Sequence, residues 1–444
     1  MRSWRNRWLW TVLVSIIWLC TIAVLYLYLT RRESPRIRNA VHELLWWTDD
    51  LHWNYDEMRH CGFDTCRVTN NHKRLHEARA ILFYGSNMKV DEFPMPRSGR
   101  HLWGLLHEES PRNVPFVPYT EFLRHFNYTS TFSRYSDLPL TTQYLPHPSD
   151  LTQLDYQSTF LNKQRHQFNE QLASVVFLQT DCNTMSGRED YVRELMKHIQ
   201  VDSYGSCLHN RDLPEQLQND YLNNLYSDAL LRFLSPYKFM IAIENGVCED
   251  YITEKFWRPL MAGIIPIYFG SPSIRNWQPQ NQSAIYIDEF PNASALAAHL
   301  QQVGGNESAY NAYLGHKFNR RQPIQNPLLV NHLLMRGYQM RRSGELSNED
   351  SLFHKFECLM CRRAAWTDQR RPANKRHYNC PLPPVYAPLE QQKEPKYAAD
   401  WRSMMGVGRC QAQLLDAFWR ANIPYTKAEF DARLSEMMEQ NKCN

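Results

Sequence analysis

Short apolar runs alternate with amphipathic segments along much of the chain, and this alternation is clearest between residues 173 and 325. Apolar runs bounded by polar residues are typical of buried strands, whereas apolar positions spaced about three or four apart are typical of helices. The pattern predicts strands at residues 175–178, 201–205, 238–243, 264–268 and 284–287, and helices at residues 189–199, 219–234, 250–261 and 293–303.

A second, less regular region of this kind covers residues 41–165, where residues 44–47, 81–84 and 102–106 are predicted to be short buried strands. Strands that alternate with helices form a mostly parallel sheet with helices on both faces. Two such halves, joined near residues 165–172, would leave a cleft between them. Because open parallel sheets bind ligands beyond the carboxyl ends of their strands, the functional residues are expected there.

The segment at residues 8–29 contains no charged residue and has aromatic residues near both ends. A bilayer core of about 30 Å is crossed by roughly 20 apolar residues in a helix, with aromatic rings at the interfaces. We predict a transmembrane signal anchor at residues 8–30, a cytosolic tail at residues 1–7 and a short stem at residues 31–40, as in a type II membrane protein. A buried core helix and a cleaved signal peptide are the alternatives.

The rest of the chain carries features of a protein in the secretory lumen. N-glycosylation sequons begin at Asn127, Asn281, Asn292 and Asn306. Ten of the eleven cysteines lie outside the predicted anchor, and an oxidising compartment would let this even set pair. Cys61 with Cys66, and Cys358 with Cys361, are close enough in sequence for local bridges. Half of a zinc site is the alternative for Cys358 and Cys361.

Composition excludes several classes of function. The 444 residues are 43% hydrophobic, which is enough for about two to three domains after the anchor. The net charge is only +4 and no long basic run is present, so no nucleic-acid partner is expected. The chain lacks the Asp-x-Asp motif that usually holds a divalent metal on a sugar nucleotide, and it lacks the commonest protease and esterase motifs.

Two predicted helices in the second region carry a cation in their early turns, each shortly after a buried strand. Arg188 follows the strand at residues 175–178, and Lys255 follows the strand at residues 238–243. A helix N-terminus suits an anion because of its free N–H groups and its dipole. Two such sites on one cleft would hold a diphosphate. Ordinary solvated surface charges are the alternative interpretation.

The sequence around Lys255 is a long motif. Residues 237–257 read YKFMIAIENGVCEDYITEKFW, and residues 265–272 read IPIYFGSP. This motif closely resembles the signature of the α-1,3-fucosyltransferases, glycosyltransferase family 10. The resemblance extends over about residues 44–361, and it is nearest to the subgroup of fucosyltransferases ten and eleven with their insect B-type relatives. The segments LHEESP at residues 106–111 and VDSYG at residues 201–205 also fit.

The resemblance implies an α/β fold of the GT-B type, with two Rossmann-like domains facing a cleft, and GDP-fucose as the donor. The cations Arg188 and Lys255 would bind its phosphates. Three further residues would contact the donor's ribose, phosphates or fucose: Asn245, Tyr251 and Glu254. Glu109 would be the general base. It is preferred over the adjacent Glu108 because it directly precedes Ser110 and Pro111.

We therefore predict an acceptor-side domain at residues 41–168, a GDP-fucose-binding domain at residues 169–365 and a cysteine-containing extension at residues 366–444. The predicted protein is an inverting fucosyltransferase of the Golgi membrane that adds α-1,3-linked fucose to N-acetylglucosamine of glycoprotein glycans. No metal is required, although a divalent ion could stimulate transfer. A protein O-fucosyltransferase of the endoplasmic reticulum, acting on Ser or Thr of a folded disulfide-rich domain, is the alternative. An inactive lectin-like or chaperone relative is the third.

Overall fold

The computed structural model describes residues 18–21, 41–48, 55–218, 224–338, 351–365 and 371–443, and these residues form two α/β units. The strands of the first sheet are β1 (His42–Trp46), β2 (Asp56–Cys61), β3 (Asp64–Thr69), β4 (Ala78–Tyr84), β5 (Leu102–His107) and β6 (Tyr128–Thr131). Their order is β2-β3-β1-β4-β5-β6. β2 and β3 form an antiparallel hairpin, and the other neighbours are parallel.

The second sheet is parallel throughout its described strands. Its members are β7 (Val175–Leu178), β8 (Val201–Tyr204), β9 (Phe239–Ile243), β10 (Ile265–Phe269) and β11 (Ile285–Tyr286), in the order β11-β10-β9-β7-β8. The five strands predicted between residues 173 and 325 are thus confirmed within about two residues at each end. Their near-continuous burial is characteristic of a parallel sheet covered on both faces.

The helices of the described residues are α1 (Thr120–Leu123), α2 (Pro148–Thr152), α3 (Phe160–Asn169), α4 (Arg188–Leu195), α5 (Glu215–Gln218), α6 (Asp228–Leu234), α7 (Glu254–Met261), α8 (Ala293–Gly304), α9 (Glu307–Tyr313), α10 (Gly315–Phe318), α11 (Pro327–Met335), α12 (Leu352–Ala364), α13 (Ala398–Ala421) and α14 (Lys427–Glu439). The prediction of a helix from residue 250 is wrong, because Thr253 is the N-cap of α7 and accepts the N–H of Lys255. Residues 219–223 of another predicted helix lie outside the described residues.

One face of the first sheet is covered by α12. Side chains of alternate residues along a strand point to the same face, and Leu44, Leu82 and Leu106 share a buried cluster with Phe356 of α12. At the centre of this face a glycine is required. A Cβ at Gly104 would lie 2.8 Å from the sulfur of Met360.

The disulfides that hold α12 differ from the predicted local pairs. The structure joins Cys61 to Cys358 and Cys66 to Cys361. The reason is geometric, because β2 and β3 lie side by side in the hairpin and residues three apart on a helix share a face. The two helix cysteines therefore meet the two strand cysteines, and the half-zinc-site alternative is wrong. The other bridges are Cys182–Cys207, Cys248–Cys380 and Cys410–Cys443.

The second sheet is also covered on both faces. On one face Ile241, Ile267 and Ile285 pack with α4, α8 and α9. On the other face, Met240 and Tyr268 pack with α6, α7 and α11. The helices preceding β7 belong to this unit as well, since Leu151 of α2 lies in the same cluster as Trp257 and the ring of Phe160 in α3 is 5.5 Å from that of Tyr310.

Two predicted domain boundaries need correction. Residues 148–168 were assigned to the first domain, but α2 and most of α3 pack on the second sheet. Residues 352–364 were assigned to the second domain, but disulfides and apolar packing attach α12 to the first sheet. The chain thus returns to the first unit after forming the second, which the order of apolar runs does not reveal.

The C-terminal extension is a folded part of the first unit. α13 covers the sheet face opposite α12, and its Trp419 packs edge-on against Trp103 with ring centroids 5.3 Å apart. The carboxylate of Asp416 pairs with Arg124 and lies 2.7 Å from Nε2 of His125. Cys410–Cys443 joins α13 to the segment that follows α14. Residues 398–443 therefore complete the first core instead of forming a separate tail.

The predicted anchor lies almost wholly outside the described residues, of which only residues 18–21 belong to it. None of the described helices is both long and apolar enough to span a bilayer.

The predicted glycosylation sites differ in their surroundings. Asn127 is buried, and its Oδ1 accepts the backbone N–H of Trp103 at 2.9 Å. A glycan at Asn127 would require this packed side chain to leave its place, so the fold does not support that site. Asn281 and Asn306 are exposed, and Asn292 is half-buried as the N-cap of α8. These three sites stay predictions.

The disulfide pairing gives a direct prediction. In a Cys61→Ser variant, we expect the thiol released to be that of Cys358, because Cys66 stays bonded to Cys361. Alkylation of the folded protein without reduction, followed by peptide mass spectrometry, identifies the labelled cysteine. Cys410→Ser is the matched control and should expose Cys443 instead. Labelling of Cys66 in the Cys61 variant would contradict the structure.

Candidate active site

The carboxyl ends of the two sheets face each other. β5 of the first sheet leads into Glu108 and Glu109, and β9 of the second sheet leads into Glu244 and Asn245. The loops touch, since a Cβ at Gly246 would lie 3.2 Å from the Cβ of Ser110. The predicted base and the predicted donor-binding residues therefore come from opposite sides of one interface, where parallel sheets place their ligands.

Glu109 is held from two directions. The hydroxyl of Tyr251, from the second unit, donates to the carboxylate of Glu109 at 3.0 Å. The hydroxyl of Tyr378, from the C-terminal segment, donates to the backbone carbonyl of Glu109 at 2.7 Å. The side chain is half-buried. A carboxylate fixed in this way at the interface has the orientation that a general base needs.

The neighbouring Glu108 has a different environment. Its carboxylate accepts the hydroxyl of Tyr84, while its other oxygen is buried without a partner. Burial raises the pKa of Glu108 to about 7, and the charge of Glu109 acts in the same direction. Glu108 thus faces into the first unit, whereas Glu109 contacts a residue of the second unit.

Arg188 lies at the start of α4, with its side chain almost fully buried. Its guanidinium donates to the carbonyls of Asp181 at 2.8 Å and Ile243 at 3.3 Å, and its Nε is buried without a partner. Burial lowers the pKa of Arg188, although nearby acids oppose this shift. The guanidinium therefore links the ends of β7 and β9 and keeps one unused donor. The alternative of a solvated surface charge is wrong for this residue.

Lys255 belongs to a cluster of buried charges at the start of α7. Its Nζ lies 3.0 Å from Oε1 of Glu254 and 3.8 Å from Oε2 of Glu244, and its side chain is only 13% exposed. Burial alone would raise the pKa of Glu254, but the nearby positive charges of Lys255 and Arg258 have the larger combined effect and lower it to about 2. Lys255 is thus fixed in place by acids and is not a solvated surface charge.

Glu244 is a residue that sequence reasoning missed. It is fully buried, and its carboxylate accepts the N–H of Thr253 at 2.8 Å and the hydroxyl of Thr253 at 2.7 Å. Burial raises its pKa to about 7, while Lys255 opposes the shift. The available signal in the sequence was an acidic residue directly after a buried strand. In the structure, Glu244 holds the start of α7 against the end of β9.

The other predicted donor-binding residues, Asn245 and Tyr251, have different surroundings. Asn245 is half-buried beside Glu244, and its Oδ1 is buried without a partner. Tyr251 lies before α7, although the sequence predicted it to be part of that helix. Its ring is buried and packs 5.2 Å from that of Phe132 in the first unit. Burial and the charge of Glu109 raise the pKa of Tyr251 well above its usual value.

A buried ion pair fixes the two units beside this site. Arg134 of the first unit binds the carboxylate of Asp250, which is 1% exposed and also accepts the indole N–H of Trp277 at 2.9 Å. Asp250 adopts a left-handed backbone conformation with φ of 66°. A buried pair of this kind is costly to break because one charge would be left unpaired. It directs the next residue, Tyr251, towards Glu109.

A cavity of about 600 Å³ opens at the carboxyl ends of β7 and β8. Its lining includes Thr180, Gly205, Ser206 and His209, and Thr180 directly precedes Asp181, whose carbonyl Arg188 binds. Gly205 has φ of 85°, and a Cβ there would lie 2.4 Å from the carbonyl oxygen of Gln179. One lining residue thus directly precedes the residue whose carbonyl Arg188 binds, and the backbone beside the cavity requires a glycine at residue 205.

Within the described part of the chain, one group of side chains has the spacing of a metal site: Glu194, His198 and Glu390. It contains none of the predicted site residues. Lys197 already pairs with Glu194 at 2.5 Å. The group gives no support for a metal at the interface of the two sheets.

The comparisons with known proteins identify the class. Residues 168–371 match Glycosyltransferase family 10 (fucosyltransferase) C-term, and residues 39–144 match Fucosyltransferase, N-terminal. The chain is thus a glycosyltransferase. More narrowly, it belongs to glycosyltransferase family 10, the fucosyltransferases, as the motif at residues 237–257 predicted.

Individual relatives agree with this membership. The chain is 58% identical over 406 residues to alpha-(1,3)-fucosyltransferase B of Drosophila melanogaster, covering 91% of this chain and 90% of the relative. It is 38% identical over 401 residues to GDP-fucose protein O-fucosyltransferase 3 of Homo sapiens, covering 87% and 81%. A solved structure of an alpha1,3-fucosyltransferase with GDP-fucose matches 77% of this chain and 96% of its own, with 13% identity and a TM-score of 0.39.

The charge cluster predicts the effect of one substitution. Lys255→Met should reduce fucosyl transfer by roughly a hundredfold or more, because a fixed cation aimed at developing charge is worth that much. The fold should survive, since Arg258 stays beside Glu254. Arg188 is a less clean target, because its loss removes donors from two buried carbonyls.

The control is Lys427→Met, which removes an exposed pair with Asp431 on α14. Initial-rate kinetics and thermal denaturation are measured for both variants. Wild-type transfer by the Lys255 variant would contradict the assigned role.

Proposed function

We propose that the protein transfers fucose from GDP-fucose, with inversion, onto the 3-hydroxyl of N-acetylglucosamine in glycoprotein glycans. The observation that supports this most is the position of Glu109, whose carboxylate faces the second unit across the interface and is held by Tyr251. The relative with 58% identity carries the name alpha-(1,3)-fucosyltransferase B. The two facing α/β units support the GT-B arrangement as part of the same proposal.

The donor is proposed to lie along the carboxyl ends of the second sheet. Lys255 and Arg188 are the cations for its diphosphate, and the positive end of the α7 dipole lies at the same place. The cavity of about 600 Å³ beyond β7 and β8 is proposed to hold the nucleoside, because its lining residue Thr180 directly precedes Asp181, whose carbonyl Arg188 binds. Asn245 and Glu254 are then close enough to contact the ribose or the fucose.

The proposed reaction is a single displacement. The bond between the anomeric carbon of fucose and the phosphate oxygen breaks, and its electron pair leaves with GDP. The acceptor oxygen bonds to the same carbon from the opposite face, and its proton moves to the carboxylate of Glu109. Lys255 and Arg188 stabilise the leaving diphosphate most when its charge has developed, which lowers the barrier.

Fixed cations support a mechanism that does not need a metal. Sugar-nucleotide enzymes with an Asp-x-Asp motif hold the diphosphate through a divalent ion, and this sequence contains no such motif. We therefore propose metal-independent transfer, which a divalent ion could still stimulate. Transfer in the presence of EDTA tests this point.

A second candidate differs only in the acceptor. Several relatives at 35–40% identity carry the name GDP-fucose protein O-fucosyltransferase 3, and they cover 77–90% of this chain. The acceptor would then be a Ser or Thr hydroxyl of a folded disulfide-rich domain in the endoplasmic reticulum. The same donor site and base serve either acceptor, so the alternative changes no residue of the mechanism.

The proposed cellular location of the protein depends on which acceptor it uses. An enzyme for glycoprotein glycans would be held in the Golgi membrane by the predicted anchor at residues 8–30, with residues 41–444 in the lumen. The pairing of ten cysteines in the described residues supports an oxidising compartment for this part of the chain.

The acceptor is decided by a panel assay. The purified lumenal part is supplied with GDP-fucose and with free glycans, glycopeptides or folded disulfide-rich domains. We expect fucose on N-acetylglucosamine, released by an α-1,3-specific fucosidase. Fucose found only on Ser or Thr of a folded domain would overturn the glycan proposal and leave the donor mechanism intact.

The base is tested by two neighbouring substitutions. Glu109→Gln should lower turnover by about a hundredfold or more, the size of a general-base contribution, while GDP affinity stays unchanged. Glu108→Gln is the control and should keep most activity, since its carboxylate is bonded within the first unit. Turnover and GDP titration calorimetry are measured for both. Normal turnover by the Glu109 variant would move the base to Glu108 or elsewhere.

A further inference from the structure

A segment after α12 crosses the interface between the two units. We call residues 371–397 the strap. At its start, the N–H of Ala373 donates to the carbonyl of Phe126 in the first unit at 2.9 Å. Further along, the N–H of Ala387 donates to the carbonyl of Ser186 in the second unit at 2.8 Å, and Pro395 packs against Gly187. The strap thus runs from the first sheet to the start of the helix that carries Arg188.

The strap carries a tyrosine into the site. Tyr378 is fully buried, and its hydroxyl donates to the backbone carbonyl of Glu109 at 2.7 Å. Its ring lies nearly parallel to that of His107, with centroids 5.4 Å apart, and 4.7 Å from that of Phe132. The ring position is therefore fixed by packing, and the hydroxyl contributes a separate contact to the loop of the proposed base.

A disulfide joins the two segments whose tyrosines contact Glu109. Cys248 lies three residues before Tyr251, and its partner Cys380 lies two residues after Tyr378. Beside the bridge, the N–H of Glu249 donates to the carbonyl of Asn379 at 2.8 Å. One covalent link therefore fixes the strap to the loop whose tyrosine binds the Glu109 carboxylate.

The extension does not need this arrangement to stay folded. α13 already attaches the C-terminal part to the first sheet through Trp419, Phe418 and the Asp416 pairs. The hydroxyl of Tyr378 adds little to that core, because it contacts a loop carbonyl. Its placement matters for Glu109, since a base displaced by about an ångström can lose roughly a hundredfold in rate.

We propose that the strap is a working part of the active site, in which Tyr378 positions Glu109 through its backbone carbonyl and Cys248–Cys380 couples this contact to Tyr251. This inference rests on the proposed role of Glu109 as the base. Tyr378 is a positioning residue, because it acts on the reacting atoms through Glu109.

The test is Tyr378→Phe in the otherwise unchanged protein. Phenylalanine keeps the ring between His107 and Phe132 but removes the donor to Glu109. We expect kcat to fall by roughly tenfold, about the effect of one lost hydrogen bond, with KM for GDP-fucose and GDP affinity unchanged. A change in kcat alone distinguishes positioning of the base from a general loosening of the donor site.

The matched control is Tyr386→Phe. Tyr386 also lies in the strap, and its hydroxyl also donates to a backbone carbonyl, that of Ala398 at 3.3 Å. We expect wild-type kcat for this variant. Equal losses in both variants, or an unchanged kcat for Tyr378→Phe, would overturn the positioning role.

The coupling through the disulfide is tested by a double-mutant cycle. Replacing Cys248 and Cys380 together by Ser should lower kcat, and in that background Tyr378→Phe should have a smaller effect than in the wild type. Replacing Cys410 and Cys443 by Ser is the control and should leave kcat unchanged. Fully additive losses in the cycle would overturn the coupling.

Failure of this inference differs from failure of the proposed function. An inactive Glu109→Gln with a fully active Tyr378→Phe removes only the role of the strap. A fully active Glu109→Gln removes the base itself, and the strap proposal with it.

Discussion

The hydrogen bond between Tyr251 and Glu109 is the contact on which the active site depends, because it joins the carboxyl ends of two separate sheets. The residue before Tyr251, Asp250, has a left-handed backbone conformation and is paired with Arg134 of the first unit. The ring of Tyr251 also packs on Phe132 of the first unit. These contacts fix the position of the proposed base relative to the proposed donor site, which is the preorganisation that the proposed mechanism needs.

The second constraint on the active site is the burial of charged side chains at the start of α7. Two acids, Glu244 and Glu254, lie beside the two cations Lys255 and Arg258 in a region with little solvent. The pKa of Glu254 is lowered to about 2, whereas burial raises that of Glu244 to about 7. The net charge of the cluster can therefore change near neutral pH through Glu244.

Much of this fold could be predicted from the sequence, and the parts that could not have physical reasons. Most strands of the second sheet are apolar on both faces, so a run such as Phe239–Ile243 is visible without any structure. The hairpin of β2 and β3 was missed because Asp56–Cys61 is largely polar and exposed. The crossed disulfides follow from strand pairing and helix facing, which involve residues nearly 300 apart.

The residues of the active site, like the fold, were only partly predictable from the sequence. Lys255, Arg188 and Glu109 were predicted from local motifs and family resemblance, and the structure places them around one interface. Tyr378 could not be predicted, because it belongs to a segment with no motif and reaches Glu109 only through the fold of the extension. Tyr251 was predicted to lie within a helix, but α7 begins at Glu254, three residues further on.

A crystal structure of the protein with GDP bound would test the proposed donor site directly. We expect the diphosphate within hydrogen-bond distance of Lys255 and Arg188, the guanosine in the cavity beyond β7 and β8, and the Glu109 carboxylate facing the terminal phosphate across the interface. GDP bound away from these cations, or a Glu109 carboxylate that faces away from the diphosphate, would contradict it.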